Sequence, residues 1–143
     1  MTTQYYGKDF GRADQKPVIF SQTSFGILLG QRITGIQVVV EEKANDYVLL
    51  HLKDGRDYMV THKQIAGERF KVEGANVSLS GPVSGLLKDI TTTCTYDNDD
   101  GTGTHTGITF ETEATAFWFD FYCSSDGMAG EGVEVYLVEW AGV

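Results

Sequence analysis

Apolar and polar residues alternate with a period of two along most of the chain, from residue 17 to residue 140. Successive side chains of a β-strand point to opposite faces of a sheet, so this pattern predicts strands with one buried face. The clearest example is residues 117–123, where the odd positions are apolar and the even positions hold Trp118, Asp120 and Tyr122. No ten-residue window shows a convincing helical period. The sequence therefore predicts an all-β protein.

The alternation also predicts where the strands lie. The expected strands are Ile33–Val40, Tyr47–Leu52, Asp57–Thr61, Arg69–Glu73, Val77–Ser80, Leu87–Tyr96, Ile108–Glu111, Phe117–Cys123 and Val133–Val138, with Pro17–Phe20 and Ile27–Leu29 as shorter candidates. Seventeen glycines and two prolines interrupt these segments, as a fold with frequent turns requires. The Asp54-Gly55 pair between two alternating runs predicts a β-hairpin, and Thr61–Glu68 is the segment that could form a helical turn.

The length of 143 residues fits one domain with one hydrophobic core. No linker or low-complexity tract divides the chain, so we expect a single all-β domain over residues 1–143. Residues 1–16 are polar and form either a first loop with a short strand or a loose arm. Turn signals at intervals of about 8–12 residues are typical of a sandwich, barrel or prism.

The charge distribution narrows the choice of partners. The formal net charge is −9, and all eleven Lys and Arg residues lie at or before Lys88, so residues 89–143 carry acidic residues but no Lys or Arg. Nucleic acids and anionic membranes both demand a cationic surface, so we expect neither as a partner. The chain has no apolar run long enough for a transmembrane helix and no signal-peptide pattern at its start. We expect a cytoplasmic protein, or one secreted without a visible signal.

No metal site is expected from the sequence. Cys94 and Cys123 both fall in alternating segments, where a thiol behaves as a small buried hydrophobe. The acidic segment 97–103 offers oxygen ligands, but its spacing does not match a calcium-binding loop. Zinc could use the two cysteines with His105, but the paired ligand spacing of zinc sites is absent.

The sequence also lacks the signatures of catalysis. The sequence contains no G-x-S-x-G nucleophile elbow and no Cys-His signature around either cysteine. It also contains no glycine-rich phosphate loop of the kind that precedes a helix. The three histidines, His51, His62 and His105, are scattered, and His51 lies in an apolar run where a histidine usually has its hydrogen bonds satisfied in the core. We therefore expect a binding or structural protein that is not an enzyme and needs no cofactor.

One segment near the carboxyl end stands out as a candidate ligand site. An aromatic strand leads into a loop of small residues, and an acidic residue stands just before the last strand. Small residues expose backbone N–H donors, while a carboxylate accepts hydrogen bonds from two neighbouring hydroxyls, which suits a sugar. The segment resembles the last loop of the jacalin-related lectins, Gly-x-x-x-Asp followed by a strand ending in Val-Tyr-Leu. The matching residues are Gly127, Glu131 and Val135-Tyr136-Leu137.

The resemblance extends over about residues 20–140 and implies a β-prism of three small antiparallel sheets, with a β-sandwich as the fallback. It also implies carbohydrate binding without a metal and without catalysis. Two departures bear on the sugar: Glu131 stands where the family has Asp, and the family's paired-glycine loop near the N-terminus is missing, with Tyr6-Gly7-Lys8-Asp9-Phe10-Gly11 as its nearest substitute. One extra methylene moves the carboxylate by roughly a bond length, which alters hydrogen bonds that tolerate only a few tenths of an ångström.

The expected sugar site therefore combines the last loop with two other segments. Glu131 would accept hydrogen bonds, the loop backbone would donate them, and a loop at residues 74–76 would close the pocket with Tyr6 or Gly7. The candidate carbohydrate-binding residues are Gly127, Met128, Ala129, Gly130, Glu131, Gly74, Ala75, Asn76, Tyr6 and Gly7. The expected partners are mannose- or galactose-type glycans, bound by a homo-oligomer that gains avidity from several weak sites.

A structural protein is the alternative function. A particle-coat, tail or toxin-associated subunit would use strands and aromatic residues to contact neighbouring subunits. The features that favour it are the N-terminal arm, the polar Thr91-Thr92-Thr93 segment and the aromatic residues Trp118, Tyr122, Tyr136 and Trp140. Aromatic residues are enriched at protein interfaces, although cores contain them as well.

Overall fold

The structure is a computed structural model that describes residues 2–7, 17–62, 69–77, 86–96, 103–113, 115–124 and 133–140. Within them the chain forms ten β-strands and one 3₁₀ helix, Phe25–Leu28, and no α-helix, so the predicted all-β character is confirmed. The strands are β1 Thr2–Gly7, β2 Pro17–Thr23, β3 Ile33–Val40, β4 Tyr47–Leu52, β5 Asp57–Thr61, β6 Arg69–Val77, β7 Leu87–Tyr96, β8 Gly103–Thr112, β9 Ala116–Ser124 and β10 Glu134–Trp140.

These strands form two sheets in which every described pairing is antiparallel. The six-stranded sheet has the order β1-β3-β4-β5-β10-β2, and the four-stranded sheet has the order β6-β9-β8-β7. The expected prism of three small sheets is not confirmed, because the described strands pair continuously within these two sheets.

One apolar core lies between the two sheets. The six-stranded sheet contributes aliphatic residues such as Ile36, Val38, Leu50 and Val60 to a cluster that it shares with the four-stranded sheet. The four-stranded sheet contributes mainly phenylalanines: Phe70, Phe110, Phe117, Phe119 and Phe121. Two pairs of these rings stack, with centroids 4.6 Å apart for Phe70 and Phe121 and 5.1 Å for Phe110 and Phe117. Burial of these rings supplies much of the hydrophobic stabilisation of the fold.

The opposite face of the six-stranded sheet is also buried. A second apolar cluster there consists of Val39, Tyr47, Leu49, Met59, Tyr136 and Val138, with Trp140 packed against it. Strands that are buried on both faces show continuous apolar runs rather than alternation. This explains the sequences of β3 and β4, in which neighbouring residues such as Val38 and Val39 are both apolar.

Several predicted elements have the predicted bounds. Strands β3, β4, β5 and β7 begin and end where the alternation placed them. The predicted hairpin joins β4 to β5, with the Leu52 N–H donating to the Arg56 carbonyl at 2.9 Å. Gly55 in this hairpin has φ of +94°, a conformation that favours glycine because other residues suffer steric strain there.

The structure differs from the prediction at one short strand and at one strand boundary. The segment Ile27–Leu29 was expected to be extended but overlaps the 3₁₀ helix, where Leu28 alone is buried and serves as the anchor to the core. Arg69–Glu73 and the start of Val77–Ser80 belong to the single strand β6, because a bulge between Val72 and Gly74 lets the strand continue through the glycine. Residues 78–80, and 63–68 of the expected helical turn, lie outside the described residues.

The outer edge of β6 is occupied by the segment 41–46, which connects β3 to β4. The Asp46 N–H donates to the Phe70 carbonyl at 2.9 Å, and the Phe70 N–H donates to Asn45 Oδ1 at 3.0 Å. Further along the edge, the Val72 N–H donates to Asp46 Oδ2 at 2.8 Å. These hydrogen bonds tie the six-stranded sheet to the four-stranded sheet and satisfy donors that an open edge would leave to solvent.

Candidate functional site

The outer face of the four-stranded sheet carries the candidate site. Alternation along β8 and β9 sends the large apolar side chains into the core and leaves polar and aromatic side chains on this face. We call this surface the Trp118 face; it includes Lys71, Glu73, Gly74 and Asn76 of β6, Thr91, Thr93 and Thr95 of β7, His105, Gly107 and Thr109 of β8, and Trp118, Asp120 and Tyr122 of β9.

Trp118 is an exposed indole in the interior of a sheet. Its strand, β9, lies between β6 and β8, and its direct cross-strand neighbours are the small polar residues Asn76 and Thr109. The side chain nevertheless remains 36% exposed. An exposed aromatic side chain offers an apolar ring face on which a ligand can stack.

Asp120 lies between two glycines, Gly74 on β6 and Gly107 on β8. A Cβ atom added at Gly107 would be 3.0 Å from Asp120 Oδ1 and 2.9 Å from Thr93 Oγ1, so the carboxylate and the hydroxyl lie low over this glycine. At Gly74, a Cβ would have only Trp118 Cζ3 as a neighbour, at 3.9 Å. The Asp120 and Thr93 oxygen atoms therefore cover Gly107, and the open space beside Asp120 is a shallow depression over Gly74, bounded on one side by the indole.

Tyr122 and its neighbours form the other end of this depression. The His105 and Tyr122 rings contact each other with centroids 4.8 Å apart and planes inclined at 49°. His105 Nδ1 lies 2.9 Å from Glu73 Oε2, a side chain that the β6 bulge turns toward this face. Because the side chains of His105 and Glu73 are 48% and 41% exposed, the pair contributes little to stability. The His105–Glu73 pair instead restricts the space that the Tyr122 ring can occupy.

The basic side chains described near Asp120 are both paired with oxygen acceptors. The Lys71 ammonium lies 3.1 Å from Asp46 Oδ1 and donates to the backbone carbonyls of Glu41 and Ala44. The imidazole of His105 faces the Glu73 carboxylate. Among the described side chains near Asp120, the Lys71 ammonium and the His105 imidazole are therefore already engaged by oxygen acceptors, which disfavours an anionic ligand at these two groups.

A second polar cluster lies on the far face of the six-stranded sheet. His51 Nδ1 is 2.5 Å from Asp57 Oδ1, and the Trp140 indole N–H donates to Asp57 Oδ2 at 2.8 Å. Asp57 is buried, so these donors compensate its loss of hydration. The expectation that His51 has its hydrogen-bonding capacity satisfied is met by this contact. The cluster links β4, β5 and β10 to one another.

The structure does not describe half of the expected sugar-site residues. Residues Gly127, Met128, Ala129, Gly130 and Glu131 lie outside the described residues.

The other expected site residues fall in two different sheets. The segment 74–76, expected as a loop, is part of strand β6, because the bulge at Val72/Gly74 keeps it paired with β9. Gly74 and Asn76 thereby lie opposite Asp120 and Trp118, whereas Ala75 packs against the core. Tyr6 and Gly7 lie in β1 opposite Ile36 and Gly35, in the six-stranded sheet.

The residues that sequence reasoning missed are Trp118, Asp120 and Tyr122 as members of one site. The alternation had placed all three on one face of a strand. What it could not supply was the register that brings Gly74 and Gly107 to either side of Asp120.

The structure excludes the combination of cysteines and histidine that was considered for zinc. Cys94 and Cys123 lie opposite Thr106 and Thr104, the two neighbours of His105 on β8, so the imidazole points to the other face of the sheet. No group of three metal-ligating side chains occurs within the described residues. Cys123 is buried as expected, but Cys94 is exposed because it lies on the edge strand β7, beyond the cover of the other sheet.

Comparison of the chain with protein-family models, with curated proteins and with solved structures gave no match. Over the described ranges, no helix has the length and apolar character needed to cross a membrane. The functional interpretation therefore depends on the geometry of the Trp118 face.

Proposed function

We propose that this protein is a carbohydrate-binding module without catalytic activity. The observation that carries the proposal is the Asp120 carboxylate beside the open space over Gly74, next to the exposed indole of Trp118. The C–H face of a pyranose stacks on an aromatic ring and removes apolar surface from water. The carboxylate accepts hydrogen bonds from two neighbouring hydroxyls, and the Asn76 amide both donates and accepts them.

The expected affinity is low. The depression is shallow and open to solvent, so a monosaccharide should bind with Kd near 1 mM, or about −4 kcal/mol. Useful binding then requires several contacts on one glycan or several copies of the protein.

The loop Gly127–Glu131 remains the second proposed sugar contact. The jacalin-type interpretation assigns the ligand to that loop, within a prism of three sheets, whereas the described strands support a site on the Trp118 face. The two locations make different predictions for substitutions, because Glu131 belongs to the loop and Trp118 to the sheet.

Titration with mannose, galactose and a panel of oligosaccharides tests the proposal. We expect binding that Trp118→Ala weakens by roughly tenfold or more, as loss of a stacking anchor does. Leu29→Ala is the matched control, because it removes a side chain that is 45% exposed at a site remote from the sheet face. Glu131→Ala tests the loop. The proposal is overturned if a broad glycan panel shows no binding at millimolar concentration.

A structural function is the second candidate, and strand β7 favours it. Residues 91–95 of this edge strand are all exposed and carry no charge, and an uncharged edge is a template for pairing with another strand. The first part of the edge is occupied, since the Leu87 N–H donates to the Gln31 carbonyl at 2.8 Å.

Light scattering during size-exclusion chromatography tests the structural function. The structural function would be favoured by large assemblies that sugars do not affect and that the Thr93→Lys substitution dissociates. A monomer at all concentrations would exclude pairing through β7.

A further inference from the structure

The Trp118 face offers two aromatic rings in line rather than one. Trp118 and Tyr122 are four residues apart on β9 and point to the same side of the sheet. Four residues of a strand span about 13 Å, at roughly 3.3 Å per residue. This distance exceeds the length of one pyranose ring, so one sugar cannot stack on both aromatic side chains.

The space between the two rings lies on the β6 side of Asp120, over Gly74, where the nearest atom to an added Cβ would be Trp118 Cζ3 at 3.9 Å. Asp120 is the intervening residue on this face, and its neighbours on both sides are glycines. The Asp120 and Thr93 oxygen atoms lie where a Gly107 side chain would otherwise stand. A ligand can therefore pass from one ring to the other along β9 and find hydrogen-bond acceptors midway.

The second ring is held in place before any ligand binds. Tyr122 packs against the His105 imidazole, and its phenol ring covers the position that a side chain at residue 103 would need. A ring that is already restricted loses little conformational entropy when a ligand stacks on it. Tyr122 is thus suited to serve as a second stacking position.

Charge decides the class of glycan. Asp120 and Glu73 contribute negative charge to the face, while the nearby Lys71 and His105 already face carboxylates. Among the side chains that the structure describes on this face, a uronic-acid or sulfated polysaccharide would meet two carboxylates, while the Lys71 ammonium and the His105 imidazole already face acceptors. Hydroxyl groups, in contrast, find hydrogen-bond acceptors.

We infer, resting on the proposed carbohydrate-binding function, that the site binds an internal stretch of a neutral, linear oligosaccharide lying along β9. Trp118 and Tyr122 are the two stacking positions, and Asp120 binds the hydroxyls of the sugar between them. The ligand is thus a chain of at least three sugar units rather than a single terminal residue.

A length series tests this inference. The probes are β-1,4-linked glucose, β-1,4-linked mannose and α-1,4-linked glucose oligomers of one to six units, titrated by calorimetry or by NMR shifts. For the linkage that binds, affinity should rise about tenfold or more from one to four units and then level off, because the second ring adds a contact on the same ligand. Tyr122→Ala should reduce the affinity of the tetramer to about that of the disaccharide.

Two controls separate binding from folding. Tyr122→Phe keeps the ring and should retain the chain-length dependence, while Leu29→Ala removes exposed apolar surface elsewhere and should change nothing. Circular dichroism confirms that each variant is folded. If Tyr122→Ala unfolds, the surface substitution Asp120→Asn should still weaken tetramer binding several-fold, since it halves the acceptor capacity between the rings.

The outcomes distinguish this inference from the broader function. Equal affinity for one and six units, or binding that depends on Glu131 and not on Tyr122, overturns the inference while carbohydrate binding stands. Tighter binding of polygalacturonate than of neutral oligomers overturns the assignment of a neutral ligand. Absence of binding to every oligomer and monosaccharide overturns both the inference and the proposed function.

Discussion

At the scale of single residues, Asp46 joins the two sheets. Its side chain is 2% exposed and accepts hydrogen bonds from the backbone N–H groups of Glu41 and Val72, both at 2.8 Å. The Lys71 ammonium approaches the same carboxylate. A buried carboxylate with this many donors stabilises the fold only while all partners are present, because each donor left alone in the interior is costly.

Asp46→Ala should therefore lower the free energy of unfolding by about 2–4 kcal/mol. Urea denaturation followed by circular dichroism measures the change. The control is Asp54→Ala, which removes an exposed carboxylate paired with Arg56 and should cost less than about 1 kcal/mol. Equal costs for the two substitutions would show that Asp46 does not join the sheets.

Gly107 controls the position of Asp120 rather than the stability of the sheet. A methyl group there would press on the Asp120 carboxylate and the Thr93 hydroxyl, both ends of side chains that can rotate away. Gly107→Ala should change the unfolding free energy by less than about 1 kcal/mol but weaken oligosaccharide binding several-fold, because hydrogen bonds tolerate only small displacements. Calorimetric titration measures the binding. Gly26→Ala, at an open position, should affect neither quantity.

At the scale of elements, alternation predicted strands well wherever one register of apolar residues was unambiguous. The bounds of β3, β4, β5 and β7 follow from pattern and turn residues alone. The alternation pattern failed at Gly74, because a bulge lets β6 continue through a glycine that was expected to end the strand. It also failed at Ile27–Leu29, because this segment overlaps a 3₁₀ helix that Leu28 anchors to core residues distant in sequence. Bulges and cross-strand neighbours are set by tertiary packing, so the assembly of the Trp118 face could not be predicted from local sequence.

The β4–β5 hairpin gives a prediction at this scale. Gly55 has φ of +94°, which an alanine adopts only with strain. Gly55→Ala should lower the unfolding free energy by about 1–2 kcal/mol and the Tm by a few degrees, as measured by thermal denaturation. The control is Gly26→Ala, because Gly26 does not have a positive φ and an added Cβ there meets nothing within 4 Å. This substitution should leave the Tm unchanged within about one degree. An unchanged Tm for Gly55→Ala would contradict the turn geometry.

At the scale of the whole molecule, the second apolar cluster couples stability to alkaline pH. Burial, followed by the charge of Glu41, raises the pKa of Tyr47 to about 12. Burial, followed by the hydrogen bond to Glu134 and its charge, raises the pKa of Tyr136 to about 12. In the unfolded chain both phenols ionise near their ordinary pKa of 10.0, so the folded state holds these protons more tightly. The associated stability is complete below pH 10 and is lost as pH rises toward 12.

The unfolding free energy should fall between pH 10 and 12 by up to about 1.4 kcal/mol per pH unit for each tyrosine. Urea denaturation at a series of pH values measures the slope, and tyrosinate absorbance reports the ionisation. Tyr47→Phe should reduce the slope, since the variant has one fewer phenol to ionise. A wild-type slope that this substitution leaves unchanged would show that Tyr47 is not the responsible group.

The two borders of the four-stranded sheet differ, and this limits how copies of the protein could polymerise. On β6, the backbone amides of Phe70 and Val72 are already bonded to Asn45 and Asp46, whereas the later part of β7 is open to water. A twofold contact through β7 would use the open border of both molecules at once. Growth by this route would therefore stop at a closed pair, instead of extending into a fibre, and would leave both Trp118 faces on the same side.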